Sequence, residues 1–490
     1  MLNALKPILN VLPEVQRPSR APNLQEKLLW TLAALLIFFV LGQIYPIGVS
    51  IGDISAAGLE RLEILLGSKI GSLITAGIGP IVLASIFLQL AVGAKLINID
   101  LSIPENKRLF QGLQKLLAII LSVLEAVIYV FPSSGGTGYI PIDTINPLFG
   151  SIPLTFLAVV LQLSIGSIIL LYLDEVVQKY GIGSGISLFI AAGVSQAIFV
   201  GALSFITATG SETPAGLIPQ AIYYLQSNIP MSFWSLVPII FTVVVFLGVV
   251  YMEGMKIELP LSYGRVRGFG ARYPLKFLYV SNIPVILASA VLLNIQLFGM
   301  FMSNAGMPLF LGPYSGNTPI CDAQNNLFTI GNFPVCGLSY YATSMPSPIL
   351  LTGGYPSYLN LMGTPQEIVH MIAYGILLVT LCVIFGWFWI ESTGMGAKNV
   401  AKQLTQSGLQ IPGFRQDPRV TERILERYIP IITILGSIAV GLLAWFADIT
   451  GALGTGTGIL LTVGILYRFY EDLAKQQVFE MYPALNKIIK

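Results

Sequence analysis

His370 is the one histidine of the chain, and it stands at the end of an apolar stretch with no nucleophile beside it. A lone histidine in that place reads as structural. No cluster of His, Cys, Asp and Glu has metal-ligand spacing, and no nucleophile–base pair or carboxylate dyad can be assembled. Cys382 lies in an apolar run and reads as a packing residue. Cys321 and Cys336 share one long polar loop; a bridge between them needs an outward-facing loop and converging Cβ atoms, which spacing leaves open. Two glycine-rich runs, Gly181-Ile182-Gly183-Ser184-Gly185-Ile186 and Gly454-Thr455-Gly456-Thr457-Gly458-Ile459, lack the Lys-Ser/Thr and the βαβ setting of a phosphate loop. They suit close helix packing or an irregular helix start. Glu125, in LSVLEAVIYV, is the one acid well inside an apolar run, and a buried acid in a membrane marks function. These residues offer no catalysis and imply no cofactor or metal. The expectation is a passive path, not an enzyme.

The elements that position them belong to a membrane. Hydrophobic residues make up 54% of the 490 and charged residues only 10%, where a water-facing surface needs about 25% charged. Apolar runs of bilayer length, about 20 residues each, fall near 28–46, 71–92, 115–131, 152–173, 186–206, 236–253, 277–300, 367–390, 428–447 and 453–470. Of the 26 Lys and Arg, all but Arg61 and Lys69 fall on one side of those ten spans. The positive-inside rule makes that side cytoplasmic, with both termini there, in a multi-pass protein of the cell membrane. The first 27 residues carry Pro7, Pro13, Pro18 and Pro22 and no apolar run before a small-residue cleavage site, so the first span is expected to direct insertion.

Three segments break the pattern. Residues 51–70 carry Leu59, Leu62, Leu65 and Leu66 at helical spacing beside Glu60, Arg61 and Glu63. That is an amphipathic helix too short to span; it lies on the membrane surface or folds back into the bundle. The outer loop at about 301–366 holds no Lys or Arg and reads as a partly ordered cap. The cytoplasmic stretch 392–427 reads as a polar helix followed by a Pro/Gly/Arg turn. Each glycine-rich run precedes the last span of a five-span half, so the halves have opposite orientations: the mark of an inverted repeat. An inverted-repeat transporter or solute channel needs several midplane charges. Aliphatic residues beside broken helices suit a pore sealed by a dry constriction instead.

Four strings carry a family resemblance: LSIPENKRLFQGLQKLL (101–117), LYLDEVVQKYGIGSGISLFIAAGVSQ (171–196), YVSNIPVILASA (279–290) and GALGTGTGILLTV (451–463). They resemble the SecY family, the large pore-forming subunit of the Sec protein translocase, over nearly the whole chain. The SIPEN form and the long outer loop look archaeal. The resemblance implies an all-α membrane fold: ten transmembrane helices in two five-helix halves related by an inverted pseudo-repeat, plus a short re-entrant plug helix at 51–70. By motif, the pore ring maps to Ile78 and Val82 in GIGPIV, Ile186 and Ile190 in GISLFI, Ile286 in NIPVI and Leu461 in GILL. Glu125 and Asn294 match a polar cluster at the lateral gate. Leu83 stands where relatives carry Thr, and Ser85 nearby could substitute. Lys256, Arg265, Arg267 and Arg415 match loops that dock the ribosome, where basic side chains suit RNA phosphates.

The implied organisation is a cytoplasmic segment (1–27), an N-terminal half (28–206), an outer loop (207–235), a C-terminal half (236–470) and a cytoplasmic tail (471–490). Within the C-terminal half, cytoplasmic loops fall at about 254–276 and 392–427. The implied partners are SecE-type and small beta-type single-span subunits, the ribosome, signal sequences, nascent chains and membrane lipid.

Overall fold

The computed structural model describes residues 12–20, 22–47, 71–93, 97, 104–130, 147–149, 152–206, 213–263, 270–280, 283–304, 311, 337–345, 348, 354–393, 395–406, 409–410 and 418–481. Each predicted span coincides with a helix: α1 Leu24–Leu41, α2 Gly79–Gly93, α3 Pro104–Val130, α4 Leu154–Tyr180, α5 Gly185–Leu203, α7 Ile229–Gly254, α8 Ile283–Asn304, α11 Pro365–Thr393, α13 Pro418–Ile449 and α14 Gly456–Met481. Seven of these are long and apolar enough to cross a membrane, and Gly79–Gln89 and Ile283–Gln296 are shorter apolar stretches. The chain is a helical multi-pass membrane protein. Its exposed side chains along α7, among them Phe233, Val243, Val244 and Leu247, are what a helix facing lipid requires.

Polar residues fix where helices start. The α1 N-terminus is closed by the Asn23 N–H donating to Glu26 Oε2 at 3.0 Å. At α7, Asn228 Oδ1 accepts from Met231 N at 3.4 Å. Several helices outrun the apolar windows that announce them. α3 begins at Pro104, eleven residues before its apolar run, α4 continues to Tyr180 and α14 to Met481. As a result Glu125 is not the sole acid inside a span: Asp174, Glu253 and Asp448 are also buried, Glu253 at the last residue of an apolar window and the other two just past the end of one. The outer stretch 207–235 contains α6 Leu217–Ser227 and the first turns of α7.

Helices pack mainly within each half, α1 with α4, α3 with α4, α8 with α11 and α11 with α13. The halves meet where α5 packs on α14 and where α2 packs on α8 and α11. One hydrophobic core runs through both, from Phe38 and Phe189 to Ala444 and Ile465. Cys382 is a free thiol buried in it.

Outside the helices, β1 Pro147–Phe149 pairs with β2 Ile152–Pro153. The segments expected as loops at about 254–276 and 392–427 contribute to one small sheet. β3 Lys256–Tyr263 and β4 Gly270–Lys276 make an antiparallel hairpin, and β5 Leu409–Gln410 adds to the free edge of β3. The polar helix expected after residue 392 is α12 Ala397–Gln406. It buries Val400, Ala401 and Leu404 against Leu425 and Ile429 of α13. In the outer cap, α9 Leu338–Ala342 and α10 Gly354–Met362 are formed. His370, expected to be structural, is buried. Its Nε2 lies 2.9 Å from the Thr343 carbonyl and its Nδ1 3.1 Å from Glu367 Oε2, while the Tyr340 hydroxyl donates to Glu367 Oε1 at 2.7 Å. The set pins α9 to α11.

Candidate functional site

Five helices from both halves converge on one small cavity. α2 brings Ile78, just before its first turn, together with Val82 and Leu83. α5 brings Ile190, α8 brings Ile286, and α14 brings Leu461. Five of the six ring positions thus line a single space. Ile186, one turn before Ile190, does not line it and packs half-buried against the same core. The local reason for Ile78 is the turn over residues 71–78: the Ile81 and Val82 N–H groups donate back to the Ile78 carbonyl at 3.1 and 3.0 Å. This fixes Ile78 at the mouth of α2, where it is almost wholly buried.

The same cavity carries the polar residues. Glu125 reaches it from α3 and Asn294 from α8, with Ser289 between them and the ring. Asn294 Nδ2 donates to the Ala290 carbonyl at 2.7 Å, and the Ser289 hydroxyl donates to the Val285 carbonyl at 2.7 Å. Glu125 is 4% exposed, and its Oε2 has no hydrogen-bond partner among the described residues. Ser85 does not join them. Its oxygen accepts from Gln89 Nε2 at 3.0 Å on its own helix, and Leu83 takes the lining position. Ser289 escaped the sequence reading, yet Ile286, Ser289, Ala290, Leu293 and Asn294 are the i, i+3, i+4, i+7, i+8 face of one helix. Ile286 and Asn294 together would have identified it.

Chemically the arrangement is a low-dielectric throat with one uncompensated carboxyl at its side. Among the described residues no group of three or more His, Cys, Asp or Glu could hold a metal ion. An aliphatic ring opposes hydrated ions by desolvation, whose cost for a bare charge is far above thermal energy. Of the basic residues in the cytoplasmic loops, Lys256 is exposed on β3 with Nζ 3.4 Å from Glu258 Oε1. Arg265, Arg267 and Arg415 lie outside the described residues, as do Leu59, Leu62, Leu65 and Leu66, and Cys321 and Cys336.

A family model described as SecY matches residues 72–470. The protein translocase subunit SecY of Methanocaldococcus jannaschii is 43% identical over 490 residues, 100% of each chain. A solved SecY, whose plug domain is described as stabilising the closed state of the translocation channel and maintaining a membrane seal, superposes with a TM-score of 0.78. It is 42% identical, over 98% of this chain and 99% of that one. Sec61 in a canine ribosome–channel complex from the endoplasmic reticulum gives a TM-score of 0.76 at 42% identity, over 98% of this chain and 99% of that one.

Proposed function

Because the chain belongs to the SecY family, we propose that it is the central subunit of a protein-translocation channel, a gated conduit without catalysis of its own. It moves nascent polypeptides across the membrane and releases transmembrane segments sideways into lipid. The observation that carries this reading is the shared cavity, where ring residues of both halves meet the polar residues of the α2/α3–α8 seam. At rest, Ile78, Val82, Ile190, Ile286 and Leu461 close the throat by excluding water, with Ile186 supporting Ile190 from the preceding turn. Opening separates α2 and α3 from α8 and α11. Glu125 Oε2, without a partner among the described residues, makes that seam less stable than a fully apolar one, so a signal sequence gains entry at low cost.

The distribution of Lys and Arg supports cytoplasmic termini and a cytoplasmic β3–β5 platform for the ribosome. Segment 51–70 is the plug of the outer funnel, and single-span SecE-type and beta-type subunits complete the complex. A solute transporter would set several ionisable groups around its cavity; of the lining residues only Glu125 is one. The test is the ion conductance of reconstituted resting channels after pairwise polar replacement, Ile78→Asn with Ile190→Asn. Leak is expected, because polar side chains let water wet the throat. Membranes as tight as with wild type would show that these residues are not the constriction.

A further inference from the structure

Asp174 and Asp448 lie outside the cavity, 7% and 5% exposed, and each caps the last helix of a half. Asp174 Oδ1 accepts from the Ile186 N–H at 2.9 Å and from the Ser184 hydroxyl at 3.3 Å. Its Oδ2 accepts from Gln178 Nε2 at 2.7 Å. Asp448 Oδ1 accepts from the Gly456 N–H at 2.7 Å, and its Oδ2 accepts from the Tyr374 hydroxyl at 2.9 Å. A second arm comes from the first helix of each half. Thr31 Oγ1 on α1 accepts from the Ile182 N–H at 3.1 Å, and Thr242 Oγ1 on α7 accepts from the Leu453 N–H at 2.8 Å. Both hydroxyls donate back to their own helix, to the Lys27 carbonyl at 2.8 Å and the Pro238 carbonyl at 2.7 Å.

The two joints share one register. Ile182, Gly183, Gly185, Ile190 and Ile198 precede Leu453, Gly454, Gly456, Leu461 and Phe469 by one constant interval. The glycine-run echo therefore aligns two residues away from its apparent sequence match: Gly183, not Gly181, corresponds to Gly454. Both have positive φ, 71° and 83°, a backbone region that glycine alone enters freely. The contacts are reciprocal across the α5–α14 interface. A Cβ on Gly183 would lie 3.0 Å from the ring of Phe469, and one on Gly454 would lie 2.8 Å from Ile198 Cγ1. Ile190 and Leu461, five residues after the paired helix starts Gly185 and Gly456, both line the throat.

We propose that the Asp174–Thr31 and Asp448–Thr242 joints are a matched pair of positioning devices that seat Ile190 and Leu461 in the closed ring. The inference rests on the constriction reading above. Each carboxyl fixes the first turn of its helix through backbone N–H groups and the helix dipole; each threonine fixes the glycine run that enters it. Loosening either joint lets α5 or α14 rotate or slide, and the ring opens without any change in its own side chains.

The test measures resting conductance, assembled yield and thermal midpoint of the purified complex for Asp174→Ala, Asp448→Ala, Asp174→Asn and Asp448→Asn. Thr31→Val and Thr242→Val remove the second arm at nearly constant shape, and Ile190→Asn is the leak control. The alanine variants should raise resting conductance roughly tenfold, the scale of one lost hydrogen bond to a charged group. The asparagines, which keep an acceptor oxygen, should restore sealing. Where an alanine variant fails to assemble, the valine variants carry the test and should leak. Joint variants that assemble normally and seal like wild type overturn the inference, as does an asparagine variant as leaky as its alanine. If Ile190→Asn itself does not leak, the constriction reading fails; if it leaks while the joint variants seal, only the positioning role fails.

Discussion

Glu125 places a carboxyl at the cavity, the proposed gate seam, with one oxygen that has no hydrogen-bond partner among the described residues, and a buried acceptor without a donor costs about 1–3 kcal/mol. Glu125→Leu removes that cost and should favour the closed channel by a similar amount. The thermal midpoint of the complex should rise, and export should demand a more hydrophobic signal sequence. A variant that melts lower and accepts weaker signals would show that the carboxyl holds the gate shut. Glu125 was legible because its apolar neighbours on both sides make an acid conspicuous, and Asn294 because a motif points to it. Asp174 and Asp448 were not. Each follows the end of an apolar window, so hydropathy assigns it to a loop, whereas its backbone is still helical and its side chain is consumed by a neighbouring helix start. Hydrophobicity locates a span, but capping decides where the helix ends.

At the scale of elements, the spans were readable because each rests on local composition, while the β4–β3–β5 sheet was not. KIELPLSY alternates strictly, Ile257, Leu259, Leu261 and Tyr263 against Lys256, Glu258, Pro260 and Ser262, but Pro260 argues against a central strand, and its edge is completed by two residues far along the chain at 409–410. Pairing at that separation leaves no local mark. The N-terminal segment is a second long-range element. Lys115 Nζ donates to the Pro13 carbonyl at 2.6 Å, the Tyr180 hydroxyl to the Gln16 carbonyl at 2.9 Å, and Val15 N to Glu175 Oε1 at 3.3 Å. Lys179 pairs with Glu14 at 2.9 Å and Glu175 at 2.8 Å, and also donates to the Val15 carbonyl. Segment 13–16 is thus strapped across the ends of α3 and α4. Lys179→Met should free it, speeding amide exchange over residues 14–16 by roughly fivefold while α4 stays protected; unchanged exchange would mean the other contacts suffice. The hydrogen bond and the charge of Lys179 hold the Glu14 carboxyl below its ordinary range. A lowered folded-state value contributes stability above the ordinary glutamate pKa of about 4.3 and loses it as pH falls through the lowered value. Exchange protection from this pair should be level across neutral pH and decline only in strong acid.

Taken whole, the β4–β3–β5 sheet ties the two loops expected on the cytoplasmic side into a single structure. Tyr263 pairs with Leu409 and Ser262 with Gln410, so the chain leading into Arg265 and Arg267 is bonded to the strand that precedes Arg415. Two loops separated by four helices in the chain thereby share one root. If these arginines only obey the positive-inside rule, reversing them leaves ribosome binding untouched. If they contact ribosomal RNA, each lost phosphate contact weakens binding and flattens its dependence on salt by about one in the logarithmic slope. Arg265→Glu with Arg267→Glu should therefore reduce affinity and lower the slope by about two, and Arg415→Glu by about one, with normal membrane assembly in both. Gln410→Pro separates the shared platform from bare charge. It leaves every basic residue in place, but proline supplies no N–H to the β3 edge. On a shared platform it should weaken ribosome binding while the salt slope stays near that of wild type, since the number of phosphate contacts is unchanged once bound. Binding measured across a salt series for all three variants decides the matter. Wild-type affinity in the arginine variants would return them to the positive-inside rule, and wild-type affinity in Gln410→Pro would show that the loops dock independently.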